Sequence, residues 1–220
     1  MIKLENITKN YVMWENVIKV LKWISLEINK WDFLSIMGTS WSWKSTLMNI
    51  IWMLDIATSW EYNFWDIKIT WKKEDELSSI RWKNIWFIFQ SYNLIPRISV
   101  IEQVMLPLVY ARIPEKERKN RAIKALEKVW LADKQNNNPN ELSWWQQQRV
   151  SVARALAVNP MMILADEPTW ALDTKTSSEV MELLTELNNE WKTIVLITHE
   201  DEVDAYAKRH ILIKDWLIVK

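Results

Sequence analysis

Cysteine is absent from the 220 residues, which excludes disulfides and thiolate metal sites and is compatible with a reducing cytoplasm. No run of about 18 consecutive apolar residues occurs, so the chain is not expected to cross a membrane itself. Met1-Ile2-Lys3-Leu4-Glu5 lacks the form of a signal peptide. Neither sign of charge dominates, since 28 basic side chains balance 28 acidic ones, and no basic field points to nucleic acid as a partner. The most informative scarcity is glycine: Gly38 stands alone against 17 tryptophans. An ordinary chain carries about 7% Gly, and a Trp share this high belongs to no compositional class.

The tryptophans occupy places where a backbone needs no side chain. Lys30-Trp31-Asp32, Ser59-Trp60-Glu61, Val129-Trp130-Leu131, Glu190-Trp191-Lys192 and Asp215-Trp216-Leu217 all read as turns or helix ends once Trp is exchanged for Gly. The pattern carries the expectation that these residues are glycines in the living protein. A codon reassigned to Gly, with UGA the obvious candidate, would then have been translated with the wrong table. Taken literally, large rings forced into packed sites cost roughly 1–3 kcal/mol each, and a domain has only about 5–15 kcal/mol to lose. A Trp-rich core accounts for Trp23 or Trp86, beside strand-like runs. It does not account for Trp41, Trp43, Trp144, Trp145 and Trp170, which lie in polar loops.

At 49% hydrophobic content the chain can bury a sizeable core. Ile2 to Thr8 and Val17 to Ile28 read as antiparallel strands, Phe33 to Met37 as a short buried strand, and Lys44 to Leu54 as a helix. Residues 57 to 89 read as short strands and turns ending in a strand over Ile85 to Phe89. From Val100 to about Pro139 the pattern is helical: Pro114 suits a helix start, and Ala122, Ala125, Leu126 and Val129 repeat at i, i+3, i+4, i+7. Met161 to Ala165 and Thr193 to Thr198 are buried strands flanking a helix whose face is Val180, Leu183, Leu184 and Leu187. This alternation predicts an α/β fold with a mostly parallel sheet covered by helices.

The run Gly38-Thr39-Ser40-Trp41-Ser42-Trp43-Lys44-Ser45-Thr46 matches the phosphate-binding loop G-x-x-x-x-G-K-[ST] except at its second Gly, where Trp43 stands. Such a loop curls consecutive N–H groups around phosphates and opens onto a helix N-terminus, a path that needs close approach of bare backbone. Ser143, with Gln146 three residues on, forms a capping-box pattern that opens another helix. A capped helix N-terminus is also an anion site.

Together with Phe89-Gln90, Leu142-Ser143-Trp144-Trp145-Gln146, Ile163-Leu164-Ala165-Asp166-Glu167, Trp170-Ala171-Leu172-Asp173 and His199, these residues resemble, over essentially the whole chain, the ATP-binding subunit of ABC transporters. The resemblance implies a P-loop NTPase core with an N-terminal antiparallel β subdomain and an inserted α-helical subdomain. It implies one ABC domain over 1–220, with residues 1–90 and 160–220 as core and 91–159 as the helical part bearing the signature. Residues 38 to 46 would bind ATP, and Tyr11 would stack on adenine, although a core or surface role for a single Tyr competes. Ser45, Gln90 and Asp166 would serve Mg²⁺. Glu167 would be the general base, with strand alternation pointing it away from Asp166. His199 and Gln90 would assist catalysis, Asp173 marks the D-loop, and Ser143 to Gln146 would act in trans.

One phosphate loop and one signature make half of each composite site, so the resemblance implies a homodimer or a paired homologue, docked peripherally to a permease on the cytoplasmic face of the membrane. The segments Val104 to Tyr110 and Pro114 to Arg118 are similar to the lipoprotein-release, macrolide-export and cell-division group. Two other readings stand beside this one. A non-hydrolysing scaffold bound to a membrane protein follows if the Trp are genuine. A soluble ABC ATPase of translation or repair is disfavoured by the single nucleotide domain and the neutral charge.

Overall fold

The computed structural model describes residues 1–14, 16–38, 41–214 and 217–219; the side chains of Met13, Trp41, Ser42 and Trp60 fall outside the description. Thr39, Ser40 and Trp216, all singled out from the sequence, lie outside the described residues. In chain order the elements are β1 (Ile2–Met13), β2 (Asn16–Ile28), β3 (Phe33–Met37), α1 (Trp41–Ile51), β4 (Ser59–Phe64), β5 (Ile67–Lys68), α2 (Glu74–Asn84), β6 (Ile85–Ile88), α3 (Val100–Tyr110) and α4 (Glu115–Lys128). They continue with α5 (Trp144–Val158), β7 (Met162–Asp166), α6 (Thr174–Asn189), β8 (Thr193–Thr198), α7 (Asp201–Asp204), β9 (Arg209–Lys214) and β10 (Leu217–Ile218).

Two sheets result. The first is an antiparallel sheet in the order β2-β1-β4-β5, and the second has the order β10-β9-β3-β8-β7-β6, in which every pairing except β10 with β9 is parallel. β3 and β8 are apolar on both faces because each side of that sheet is covered. One core lies between the two sheets and α1 and includes Leu34, Ile36, Leu47, Ile51 and Tyr62. The other packs Phe33, Ile163, Ile194 and Leu196 under α3, α4, α5 and α6.

Three expectations need correction. β1 runs on to Met13, so Tyr11 lies within a strand rather than before a loop. The first helix begins at Trp41, not Lys44, and ends at Ile51. Trp at 41 and 43 accepts helical φ and draws the loop residues into the first turn, whereas Gly resists helix by about 1 kcal/mol. α2 replaces a predicted stretch of strands and turns; it buries only Leu77, which leaves no apolar periodicity to read. Its signature is electrostatic instead: Glu74, Asp75 and Glu76 in the first turn, Arg81 and Lys83 in the last, each sign matched to the helix dipole.

The tryptophans decide the local geometry. Among the described residues thirteen adopt positive φ, and seven of these are Trp: 14, 23, 31, 65, 71, 130 and 191. Trp130 and Trp191 follow the last residues of α4 and α6. In each case the Trp N–H reaches the carbonyl three residues back (Glu127, Asn188), and the next N–H reaches five back (Leu126, Leu187). This is the Schellman closure, whose left-handed residue is usually Gly. Trp65 is the first residue of the two-residue hairpin joining Phe64 to Ile67, the glycine position of a type II′ turn. Trp23 falls where the β1–β2 register shifts between Ile7↔Ile24 and Lys9↔Leu21, a β-bulge.

Left-handed backbone costs a residue with a Cβ about 1–2 kcal/mol. Seven such sites total about 7–14 kcal/mol, as large as the stability of a whole domain. Trp71, with φ 80° and 88% of its surface exposed, isolates the effect. Trp71→Gly is expected to stabilise the chain by about 1 kcal/mol in urea unfolding. Trp71→Ala, which keeps the strained Cβ, should leave the midpoint near the parent value, and equal responses to the two would contradict the strain.

Candidate functional site

The parallel strands end in step. Met37 of β3 pairs with Thr198 of β8, Ile197 with Asp166 of β7, and Ala165 with Ile88 of β6. Gly38, His199 and Glu167 each follow their strand by one residue, and Gln90 follows Ile88 by two. The sequence-predicted residues therefore line up along one edge of the sheet, beyond the carboxyl ends of the strands, where open α/β sheets bind ligands. α1 starts from that edge and carries Lys44, Ser45 and Thr46 in its first turns, so its positive dipole end faces the same place.

Lys44, Glu167 and His199 are joined directly. Lys44 Nζ donates to Glu167 Oε1 at 3.3 Å, and His199 Nδ1 lies 2.9 Å from the same oxygen. Lys44 and Glu167 are both buried, each 6% exposed, while Ser45 is exposed and Gln90 half-buried. Glu167 Oε2 is also buried and has no hydrogen-bond partner. Strand alternation does not orient Glu167 as expected: β7 stops at Asp166, and Glu167 sits in a left-handed turn with φ 42°, its N–H bonded to Ile197 O. Backbone strain at this one residue carries its carboxyl onto Lys44. Burial, and then the negative charge of Glu167, push the Asp166 carboxyl up to about 6 against the opposing pull of Lys44.

The base of the phosphate loop is tight. A Cβ on Gly38 would meet Ile213 O at 2.5 Å and Cζ2 of Trp43 at 2.1 Å, so the buried indole of Trp43 lies directly against the Gly38 backbone. Tyr11 stands elsewhere, in the antiparallel sheet. Its hydroxyl donates to Asp55 Oδ2 at 2.9 Å, Lys9 donates to Asp55 Oδ1 at 2.6 Å, and the Lys9 ammonium stands 4.9 Å from the ring centroid. The tie of Asp55 to Tyr11 and Lys9 was not legible in the sequence, because nothing local joins positions more than forty residues apart.

The signature residues also stand apart, at the start of α5. Ser143 and Gln146 exchange hydrogen bonds as the capping box requires, with Ser143 N–H to Gln146 Oε1 at 3.0 Å and Gln146 N–H to Ser143 Oγ at 3.4 Å. Ser143 and Trp144 are exposed, and the Arg149 guanidinium covers the Trp145 ring at 4.6 Å. Gln148, buried two residues on, was passed over by sequence reasoning. It donates to Pro168 O at 2.8 Å and so links the signature helix to the turn that holds Glu167. Asp173 caps α6, accepting from Thr176 N at 3.0 Å.

Comparison with known proteins decides the family. The family model described as ABC transporter matches residues 21–170. The chain belongs to the ABC transporter family. This ABC chain is similar to YknY of Bacillus subtilis, described as an uncharacterized ABC transporter ATP-binding protein, at 48% identity over 100% of this chain and 95% of that protein. It is also similar to the macrolide export ATP-binding/permease protein MacB of Chlorobaculum tepidum, at 42% identity over 100% of this chain but 34% of MacB. Among solved structures, the ABC cassette MJ0796 in its dimeric form superposes with a TM-score of 0.90 at 45% identity, covering 100% of this chain and 97% of that one. The same cassette has been solved in a dimeric post-hydrolysis state bound to ADP and Pi.

Asp166 supplies a pH test. A carboxyl held above its ordinary 3.8 binds its proton more tightly folded than unfolded. Its ionised form therefore costs stability in full above about pH 6, and the cost fades as pH falls toward about 4. In the nucleotide-free ABC chain, Asp166→Asn is expected to remove a loss of stability that sets in from about pH 4 and is complete a little above about pH 6, measured as urea midpoint against pH. An unchanged profile would contradict the half-buried, desolvated carboxyl.

Proposed function

We propose that this chain is the ATP-binding and hydrolysing subunit of an ABC transporter, driving a separate permease similar to the lipoprotein-release and macrolide-export type. The observation that carries the reading is the Lys44–Glu167–His199 cluster at the carboxyl edge of the parallel sheet, a buried ion pair with the exposed His199 ring on its solvent side, beside the N-terminus of α1. Lys44 is the cation for the β- and γ-phosphates. Glu167, whose Oε2 is buried and unmet by any hydrogen bond, is placed to take a proton from the attacking water. His199 fixes the other oxygen of that carboxylate and faces the γ-phosphate position.

The oxygen donors at hand fit Mg²⁺. The Ser45 hydroxyl, the Gln90 amide and the Asp166 carboxylate are hard ligands of the kind that ion takes alongside substrate phosphates, and the raised pKa of Asp166 marks a carboxyl that a cation would stabilise. Bound there, Mg²⁺ would neutralise charge on the β- and γ-phosphates. The protein groups orient the phosphates, hold the water and accept its proton.

Residues 38 to 46 form the ATP loop, Tyr11 the adenine platform, and Ser143 to Gln146 the anion site offered to a second chain. The half-exposed signature helix supports that last role, because its capped N-terminus addresses solvent rather than its own Lys44. The 220 residues act as one ABC domain, with 1–90 and 160–220 as core and 91–159 as a helical part inserted between β6 and β7. The dimeric state of MJ0796 and the permease fused in MacB support pairing with a second cassette and docking to a membrane subunit. No helix among the described residues is long and apolar enough to cross a membrane; in this reading the chain is held peripherally on the cytoplasmic face by a permease. An open cleft of about 630 Å³ between α2 and the end of α3, lined by Trp82, Leu108, Tyr110 and Ile113, offers the docking surface.

Two measurements test the proposal. Glu167→Gln is expected to lower Mg²⁺-dependent ATP hydrolysis by at least about 100-fold while ATP still binds, the loss typical of a missing general base; an undiminished rate would exclude Glu167 as base. Asp55→Ala, which unties Tyr11, is expected to weaken ATP binding severalfold and leave tripolyphosphate binding unchanged. Equal weakening of both would place the defect outside the adenine platform.

A further inference from the structure

Seven tryptophans share one requirement across unrelated geometries. Trp130 and Trp191 close helices, Trp65 opens a two-residue hairpin, Trp23 is the extra residue of a bulge, and Trp14, Trp31 and Trp71 lie in connections between elements. Positive φ is all these places have in common, and a Cβ resists it wherever it occurs. Packing does not hold the indoles there: Trp14, Trp23, Trp31, Trp71, Trp130 and Trp191 are all exposed, Trp14 almost completely at 97%. A residue type that makes up 17 of 220 positions thus takes seven of the thirteen left-handed ones among the described residues, while Asn, the side chain best suited to them, takes three.

Elsewhere the demand is for space. The Trp43 ring is pressed against Gly38 at the base of the phosphate loop. Trp65 and Trp86 each bury an indole N–H without a hydrogen-bond partner, which a selected Trp rarely does. Trp41 and Trp43 turn loop residues into helix, and Trp144 and Trp145 put rings on the first turn of the signature helix, where an anion site needs bare amides. Some rings do find neighbours, such as Trp52 stacked on Phe87 at 4.5 Å. A contact of that kind fills space without specifying a ring.

We infer that glycine occupies all 17 Trp positions in the protein as its own cells make it, through one codon that those cells read as Gly. Uniformity argues for a single codon, because helix ends, hairpins, a bulge and two anion-binding turns are affected alike. Gly38 is then the glycine spelled by an ordinary codon. With this change the left-handed sites lose their strain, residues 41 to 43 are free to leave the helix, and the amides at 41, 43, 144 and 145 become open to phosphate. The backbone evidence is independent of the ATPase reading; only the role of those four amides rests on it.

The test is peptide mass spectrometry of the chain purified from its source cells, paired with two recombinant forms, one as written and one with Gly at all 17 positions. Tryptic peptides 31–44 and 135–149 are expected to be lighter than the written sequence by one indolylmethyl-for-hydrogen exchange at each of Trp31, Trp41, Trp43, Trp144 and Trp145, and near-ultraviolet absorbance should fall to that of five Tyr. Peptides carrying Trp would overturn the inference whatever the activity. The glycine form is expected to bind ATP at least tenfold more tightly than the form as written. If source peptides carry Gly but the glycine form ignores ATP, the decoding stands and the ATPase reading falls.

Discussion

Everything at this site depends on strands that stop together. Because β3, β8, β7 and β6 pair in parallel with matched ends, four residues far apart in sequence meet along one sheet edge, and the first turn of α1 arrives there with its dipole. The buried pair of Lys44 and Glu167 is the result. Two opposite charges out of water hold each other at a desolvation penalty of several kcal/mol per ion. Such a pair is poor at stabilising a fold and well suited to exchanging its partner for a phosphate.

Much of this was legible beforehand, for a physical reason. Strands covered on both faces are continuous apolar runs, and β3 and β8 fall at the residues expected. The capping box at Ser143 was readable because its partners lie three residues apart. The placement of the motif residues at strand ends was readable too, since Gly38, Glu167 and His199 each directly follow a buried apolar run.

What escaped notice was non-local or unpatterned. α2 buries one residue and so offers no periodicity. The bond from Asp55 to Tyr11 spans 44 positions, and Gln148 to Pro168 spans 20, distances that only folding closes. The orientation of Glu167 was not legible either: a left-handed turn, not strand alternation, aims its carboxyl. The scarcity of glycine was visible at once, while its distribution over left-handed backbone became visible only in three dimensions.

The local strain and the site belong to one account, in which bare backbone reverses the chain at its ends and wraps an anion at its centre. Calorimetric titration of ATP into the chain isolated from its source cells tests that account most directly. It predicts one ATP bound per chain, with binding lost on Lys44→Ala; a native chain that takes up no ATP, or one indifferent to Lys44, would contradict it.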